Sequence, residues 1–196
     1  MNSWKRFWMV WAFFATATLP VRAESYDIDS AHSRVAFSIR HLLGTARGEF
    51  HKFSGTIEVD AADPERSTVN VKIQVASLDT RIRKRDEHLL SADFFDAKQF
   101  PEIAFRSRAV KRTAPNEAEI TGELAMHGVA RPLVLRVKLA TPLVAGAVPA
   151  RTRWLVTTGP VRRKDFGLMF GGAAEAVSGI AQEVAPVIEI EAVRRN

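Results

Sequence analysis

VNVKIQV, residues 69–75, is the stretch whose reading decides the fold. Val69, Val71, Ile73 and Val75 alternate with Asn70, Lys72 and Gln74. Side chains of an extended chain point to opposite faces in turn, so this order describes a strand with one face buried and one in water. The β-branched residues on the apolar side also fit a pleated surface. The octapeptide before it, DAADPERS (residues 60–67), carries the Asp, Pro and Ser of a turn.

Working outward, the same period returns on both sides. Upstream, Val35, Phe37 and Ile39 alternate with Ala36, Ser38 and Arg40, and Phe53, Gly55, Ile57 and Val59 with Ser54, Thr56 and Glu58. Downstream it reappears at 103–105, 120–126, 133–139, 154–158 and 187–191, with TAPNE (113–117), HGVARP (127–132) and VAGAVP (144–149) as turn-like connections. Eight strands at such spacing predict an all-β sandwich or barrel, and closing the sheet on itself alone removes the unpaired edges. The expected fold is an eight-stranded antiparallel barrel. One stretch breaks the rhythm. Residues 80–90 are rich in helix formers and keep Ile82, Arg85, Leu89 and Leu90 near one face, which places a short helix between strands three and four. Pro186 inside the last strand predicts an edge or bulge there. Gly48 and Gly55 are expected to permit a bulge that lets Phe50 and Phe53 share a face.

The N-terminus reads differently. Lys5 and Arg6 precede an uncharged apolar run, Phe7 to Leu19, and Val21-Arg22-Ala23 offers small residues at a cleavage site. That is the pattern of a secretory signal over residues 1–23, and the run is short of the roughly 20 residues a spanning helix needs. The expected product is one domain, residues 24–196, soluble in the periplasm. Loss of Lys5, Arg6 and Arg22 would lower the formal net charge from its value of +6. The remaining basic clusters, 81–85 and 162–164, are short and lack interleaved aromatics, so no nucleic-acid partner is expected. There is no cysteine. That excludes a disulfide framework, thiolate chemistry and Cys-ligated zinc.

RDEHLLSADFFDAKQFP (85–101) is the stretch most open to a catalytic reading, since Asp86, Glu87 and His88 stand beside Phe94 and Phe95. Adjacent helical residues point in different directions and cannot converge on one proton. Ser30, Ser33 and Ser91 are available hydroxyls, but none lies in a Gly-x-Ser-x-Gly elbow. The structural reading is a plug. Asp93 caps a short turn, Phe94 and Phe95 swing into a barrel mouth, and Arg85 and Asp86 lock the segment to loop backbone or carboxylates. His88 then stands as a head-group contact. The five histidines show no metal spacing, and neither metal nor cofactor is expected.

Beyond residue 23, nine Phe stand against one Trp (Trp154) and one Tyr (Tyr26), so an interior built from them offers mainly hydrocarbon. Two readings stay open on pattern alone: these side chains fill the core solidly, or they wall a cavity. The RRKD run at 162–165 reads as a solvated strand end, with transient contact with anionic head groups at a membrane surface as the functional rival.

The pieces YDIDSAHSRVAFSIRHL, GEFHKFSGTIEVD, SLDTRIRKRDEHLLSADFFDAKQFPEIAF, GELAMHGVARPLVL and RRKDFG occur in this order and cover the chain from Tyr26 to Ala192. Together they resemble the YceI-like family, exported lipocalin-like proteins whose members bind polyisoprenoids, isoprenoid quinones or other long-chain amphiphiles. The resemblance implies an elongated barrel around an apolar cavity, a lipid carrier rather than an enzyme, and a homodimer. Strand parity and the plug then name the ligand-binding residues: Phe37, Ile39, Phe53, Ile57, Ile73, Phe94, Phe95, Phe105, Leu124, Met126 and Leu135. Two rivals remain at this point. One is a hydrolase or isomerase acting on a lipidic substrate with His88 and Asp86 as acid and base. The other is a stress-related interaction protein with a solid core and no ligand.

Overall fold

Alternation sets the strands, and strands with one apolar face close on each other. The computed structural model describes residues 23–60, 62–141, 150–170 and 179–195. The expected leader and the VAGAVP turn lie outside these residues, apart from Ala23. Twelve extended segments form one antiparallel sheet: β1 (Glu24–Ile28), β2 (Arg34–His41), β3 (Gly44–Phe50), β4 (Phe53–Val59), β5 (Thr68–Gln74), β6 (Leu78–Asp79), β7 (Glu102–Ala114), β8 (Glu117–Met126), β9 (Val129–Leu139), β10 (Arg151–Thr158), β11 (Val161–Arg162) and β12 (Glu183–Arg194). They amount to eight staves, because β1 with β2, β3 with β4, β5 with β6, and β10 with β11 are halves of single broken strands. Neighbours in sequence are neighbours in space all the way round. β12 then pairs with β1, Tyr26 opposite Arg194, and the barrel is closed.

The closing seam is well held. Tyr26 and Ala192 are fully buried on it, and the Tyr26 hydroxyl donates to Glu24 Oε2 at 2.7 Å. Burial and that carboxylate raise the pKa of the Tyr26 hydroxyl. On the outer side Arg194 pairs with Glu24, and Arg195 with Asp27.

The breaks are where the sequence pattern and the backbone differ. β3 ends at Phe50 and β4 begins at Phe53, and the His51-Lys52 step lets both rings face the core. This irregularity replaces the bulge expected at Gly48 or Gly55. Those glycines answer to close approach instead. A Cβ at Gly48 would lie 2.4 Å from the Phe37 ring, and one at Gly55 2.4 Å from the Asn70 carbonyl oxygen. Pro186 sits opposite Phe37 on the β2 side. On its other side β12 meets β11 at Val184 and β10 only from Ile188 onward, so Pro186 falls in a gap of the ladder where its missing N–H costs nothing.

The helix α1 (Arg83–Leu90) lies between staves three and four, as the helix-forming run predicts. β7 starts at Glu102 opposite Gln74, so among the described residues β6 has no strand on its second edge. Residues 80–101 occupy this place. Phe94 and Phe95 are buried there, ring centroids 5.3 Å apart and edge to face. The turn beneath them is organised by Ser91, whose carbonyl accepts from the N–H groups of Phe94 and Asp96, rather than by the expected Asp93 cap.

Candidate functional site

Inward-facing side chains do not fill the barrel. Two chambers lie along its axis, with volumes of about 510 and 460 Å³. Val35, Ile73, Leu124, Leu133 and Ile188 border both, so the chambers meet at a waist of branched aliphatic residues. The chamber beside α1 is the near chamber, and the one beneath the β7–β8 hairpin is the far chamber.

Each chamber keeps a phenylalanine flat against its wall by the same device. Phe37 borders the near chamber and Phe105 the far one. Under the rings lie Gly48, opposite Phe37, and Gly122, diagonal to Phe105 on β8, where a Cβ would come within 2.4 Å of the Phe37 and Phe105 rings respectively. The ring lies over the glycine instead of projecting into the bore. A side chain at either position would drive the ring inward, so these glycines keep the bore open.

Polar groups are sparse and unevenly placed. In the near chamber the lock on α1 is built on Thr80. Its N–H donates to Asp86 Oδ1 at 2.9 Å and its hydroxyl to the same oxygen, while Arg85 donates to the Thr80 hydroxyl at 2.7 Å and carbonyl at 2.9 Å. His88 lies flat on Phe170, ring centroids 5.7 Å apart. Arg163 is 2% exposed and donates to the carbonyls of Leu168, Ile180 and Ala181, with Phe170 under its guanidinium. The solvated strand end expected at 162–165 is therefore wrong for Arg163, two of whose acceptors, Ile180 and Ala181, come from a segment remote in sequence. Thr158 Oγ1, on the near-chamber wall, is buried and has no hydrogen-bond partner among the described residues. His41 and Arg47 border the same chamber.

The far chamber carries one aromatic with a polar handle. Trp154 donates its indole N–H to Thr152 Oγ1 at 2.9 Å, so the ring can face the chamber with its polar atom satisfied. At its end stand Asp60, Ser67, Arg112, Asn116 and Glu117. Asp60 Oδ1 is already engaged by the N–H groups of Ala62 and Asp63.

The residues named from sequence sort as follows. Phe37, Ile39, Phe94, Phe95 and Met126 border the near chamber; Ile57, Phe105 and Leu135 border the far one; Ile73 and Leu124 belong to the waist. Phe53 borders neither. It is buried in the central core immediately after the His51-Lys52 break, opposite Ile73 across the β4–β5 ladder. Sequence reading missed Arg163, Thr158 and Phe170 of the near chamber, and Trp154 of the far one. Trp154 was legible from the parity of β10. Arg163 and Phe170 were not, since no period runs through their loop.

As an acid/base pair Asp86 and His88 do not come together. Asp86 is held by Thr80, His88 stacks on Phe170, and no hydrogen bond joins them. His32 lies elsewhere, 2.8 Å from Asp29. Among the described residues no three His, Asp or Glu gather as a metal site would require. What the arrangement offers is apolar volume with a few donors at one end.

The comparisons agree with this geometry. The YceI-like domain model matches residues 26–192. Protein YceI of Salmonella arizonae is 32% identical over 186 residues, covering 93% of each chain. A UPF0312 protein of Pseudomonas putida (strain GB-1) is 41% identical over 174 residues, 82% of this chain and 88% of its own. In UPF0312 proteins of Pseudomonas savastanoi and Pseudomonas syringae the match is 42% over 111 residues and spans 58% of their length. Among solved structures, BcnA of Burkholderia cenocepacia superimposes with a TM-score of 0.74 at 26% identity, over 84% of this chain and 98% of that one. A polyisoprenoid binding domain from Saccharophagus degradans, implicated in plant cell wall breakdown, shares the fold at 16% identity and a TM-score of 0.63, over 87% and 98% of the two chains. None of these names describes a reaction.

Proposed function

This chain belongs to the YceI-like family, and from that premise we propose that it binds and carries a long apolar ligand, a polyisoprenoid, an isoprenoid quinone or a related amphiphile, without catalysing a reaction. The observation that carries the reading is the pair of apolar chambers joined through the Val35, Ile73, Leu124, Leu133 and Ile188 waist. Each methylene taken from water into such a wall gains about 0.8 kcal/mol, so a threaded tail binds tightly without specific hydrogen bonds. A wall of hydrocarbon also distinguishes poorly between tails of similar width. Polarity supports one orientation. The unpartnered Thr158 hydroxyl and the rings of His41 and His88 border the near chamber, which suits a small head group there and the tail toward Trp154.

The apolar leader at residues 1–23 supports export of the 24–196 domain to the periplasm, where a water-soluble container would have to shield such a tail. Solvent extraction of the chain purified from its native host, read by mass spectrometry, should recover lipid in stoichiometric amount. Recovery of none counts against a carrier. A Leu124→Trp change at the waist should then cut the bore in two. Denying a tail about four methylenes costs about 3 kcal/mol, roughly a hundredfold in Kd for long tails, with short tails barely affected.

A further inference from the structure

We infer that the near-chamber end of the barrel docks on the surface of an anionic lipid bilayer, with the tip of the β2–β3 turn entering the acyl layer. The inference rests on the reading of the chambers as a lipid site and gives that site its route of loading. Among the described residues the four most exposed large apolar side chains all stand at this end: Leu43 at 95%, Leu42 at 78%, Ile82 at 52% and Met169 at 46%. They come from three separate segments, the β2–β3 turn, the entrance to α1 and the stretch after Arg163. Each segment also supplies the near-chamber wall, through His41, Arg85 and Leu168. Packing does not explain leaving two consecutive leucines almost wholly in water at the tip of a hairpin. A bilayer does.

Charge points the same way. Arg40, Arg47, Lys84, Arg162 and Lys164 surround these side chains, and none has a carboxylate within ion-pair distance among the described residues. Asp79 and Asp86 of this end are already engaged, by His51 and Thr80, and Glu87 stands 3.6 Å from Arg83. Among the described residues Asp93, Asp165 and Glu183 remain as exposed opposing charges. At the far end, by contrast, Arg151, Lys138 and Arg194 each face a carboxylate at 2.9, 3.1 and 3.2 Å. Cations left open beside protruding leucines match a surface with phosphate outside and hydrocarbon beneath, which long basic side chains can straddle. A tail leaving that bilayer reaches the near chamber without crossing water.

Co-sedimentation of the 24–196 product, free of the apolar leader, with vesicles tests this, using phosphatidylcholine alone and phosphatidylcholine mixed with phosphatidylglycerol. The chain should bind the anionic vesicles, and added salt should weaken that binding. The double change Leu42→Ser with Leu43→Ser should weaken it by about tenfold, as should Lys84→Glu with Lys164→Glu. None of these residues borders a chamber, so all variants should still take up a soluble apolar dye. Equal binding by native and leucine-variant chains overturns the inference, as does binding that ignores vesicle charge. Capture by native membrane vesicles but not by vesicles of their extracted lipids also overturns it, in favour of a protein partner. Failure of the dye to enter, with vesicle binding intact, counts against the chamber reading alone.

Discussion

At the far end of the bore Arg151, Arg194 and Arg195 lie against Asp29, Glu24 and Asp27 across the strands that close the barrel. At the near end one arginine, Arg163, is buried among backbone carbonyls, and several other cations face outward without a carboxylate partner among the described residues. The same alternating strands build both ends. The far end is finished by strand-to-strand pairing, and its polar side chains answer one another across neighbouring strands. The near end is finished by loops and a helix, whose polar groups are satisfied by backbone or left for something else. With loading at the near end, as proposed, closure and entry fall at opposite ends of one barrel.

The largest effect that would test this contrast is at Arg163. Arg163→Leu leaves the carbonyls of Leu168, Ile180 and Ala181 without their buried donor and should destabilise the fold by about 3 kcal/mol. Arg151→Leu, at an exposed pair, should move the unfolding midpoint little. Urea denaturation of the two variants side by side reads the difference. Equal effects would mean that the two ends are held alike.

The glycines give the next effect. At Gly122 a Cβ meets both the Phe105 ring and the Arg106 carbonyl oxygen at 2.5 Å, so the backbone must shift. At Gly48 the clash is with the side chains of Phe37 and Thr80 alone. Gly122→Ala should cost about 2 kcal/mol and Gly48→Ala about 1, toward the lower end of overpacking penalties. Gly48→Ala should in addition reduce dye uptake by the near chamber, because the displaced Phe37 ring has the bore to move into. A crystal structure of that variant with the ring unmoved would remove the argument for how the bore stays open.

The smallest effect is the response to acid. Hydrogen bonds from Arg195 to Asp27, from Arg151 and then His32 to Asp29, and from the Arg81 N–H and then His51 to Asp79 hold all three carboxyls below their ordinary pKa. A depressed folded-state pKa contributes stability that is present above the unfolded value, about 3.9, and fades as pH falls through the folded one. Stability should therefore be level near neutrality and decline below about pH 4. Two of the three groups belong to the β1 seam, so hydrogen exchange should open β1 and the end of β12 before α1 in that range. Earlier loss of α1 would reverse the assignment of the closing end.

Much of this was legible in the chain. VNVKIQV announced β5 except at its ends, since the strand begins at Thr68 and Val75 passes into a short 3-10 turn, and the helix-forming run at 80–90 placed α1 in the right connection. Short or charged strands were not legible. β3, GTARGEF, has no clean alternation, and β6 and β11 are two residues each, below any period a sequence can show. Among site residues, parity brought Phe37, Ile73, Phe105 and Leu124 to the bore. Phe53 lies on the same face, opposite Ile73 and in line with Ile57, yet borders neither chamber, because lining the bore depends on what the neighbouring side chains leave open and not on parity alone. Arg163 was beyond reach, since burial of a charge depends on which loops supply its acceptors.

By itself, then, the sequence determined the strands, their faces, the helix between the third and fourth staves and the apolar character of the interior. Those follow from local backbone geometry and from the cost of burying polar groups along each strand. Whether the interior is solid or hollow was decided by the tertiary structure alone. Hollowness depends on how rings, glycines and loops from distant positions share one volume, and no local period encodes that sum.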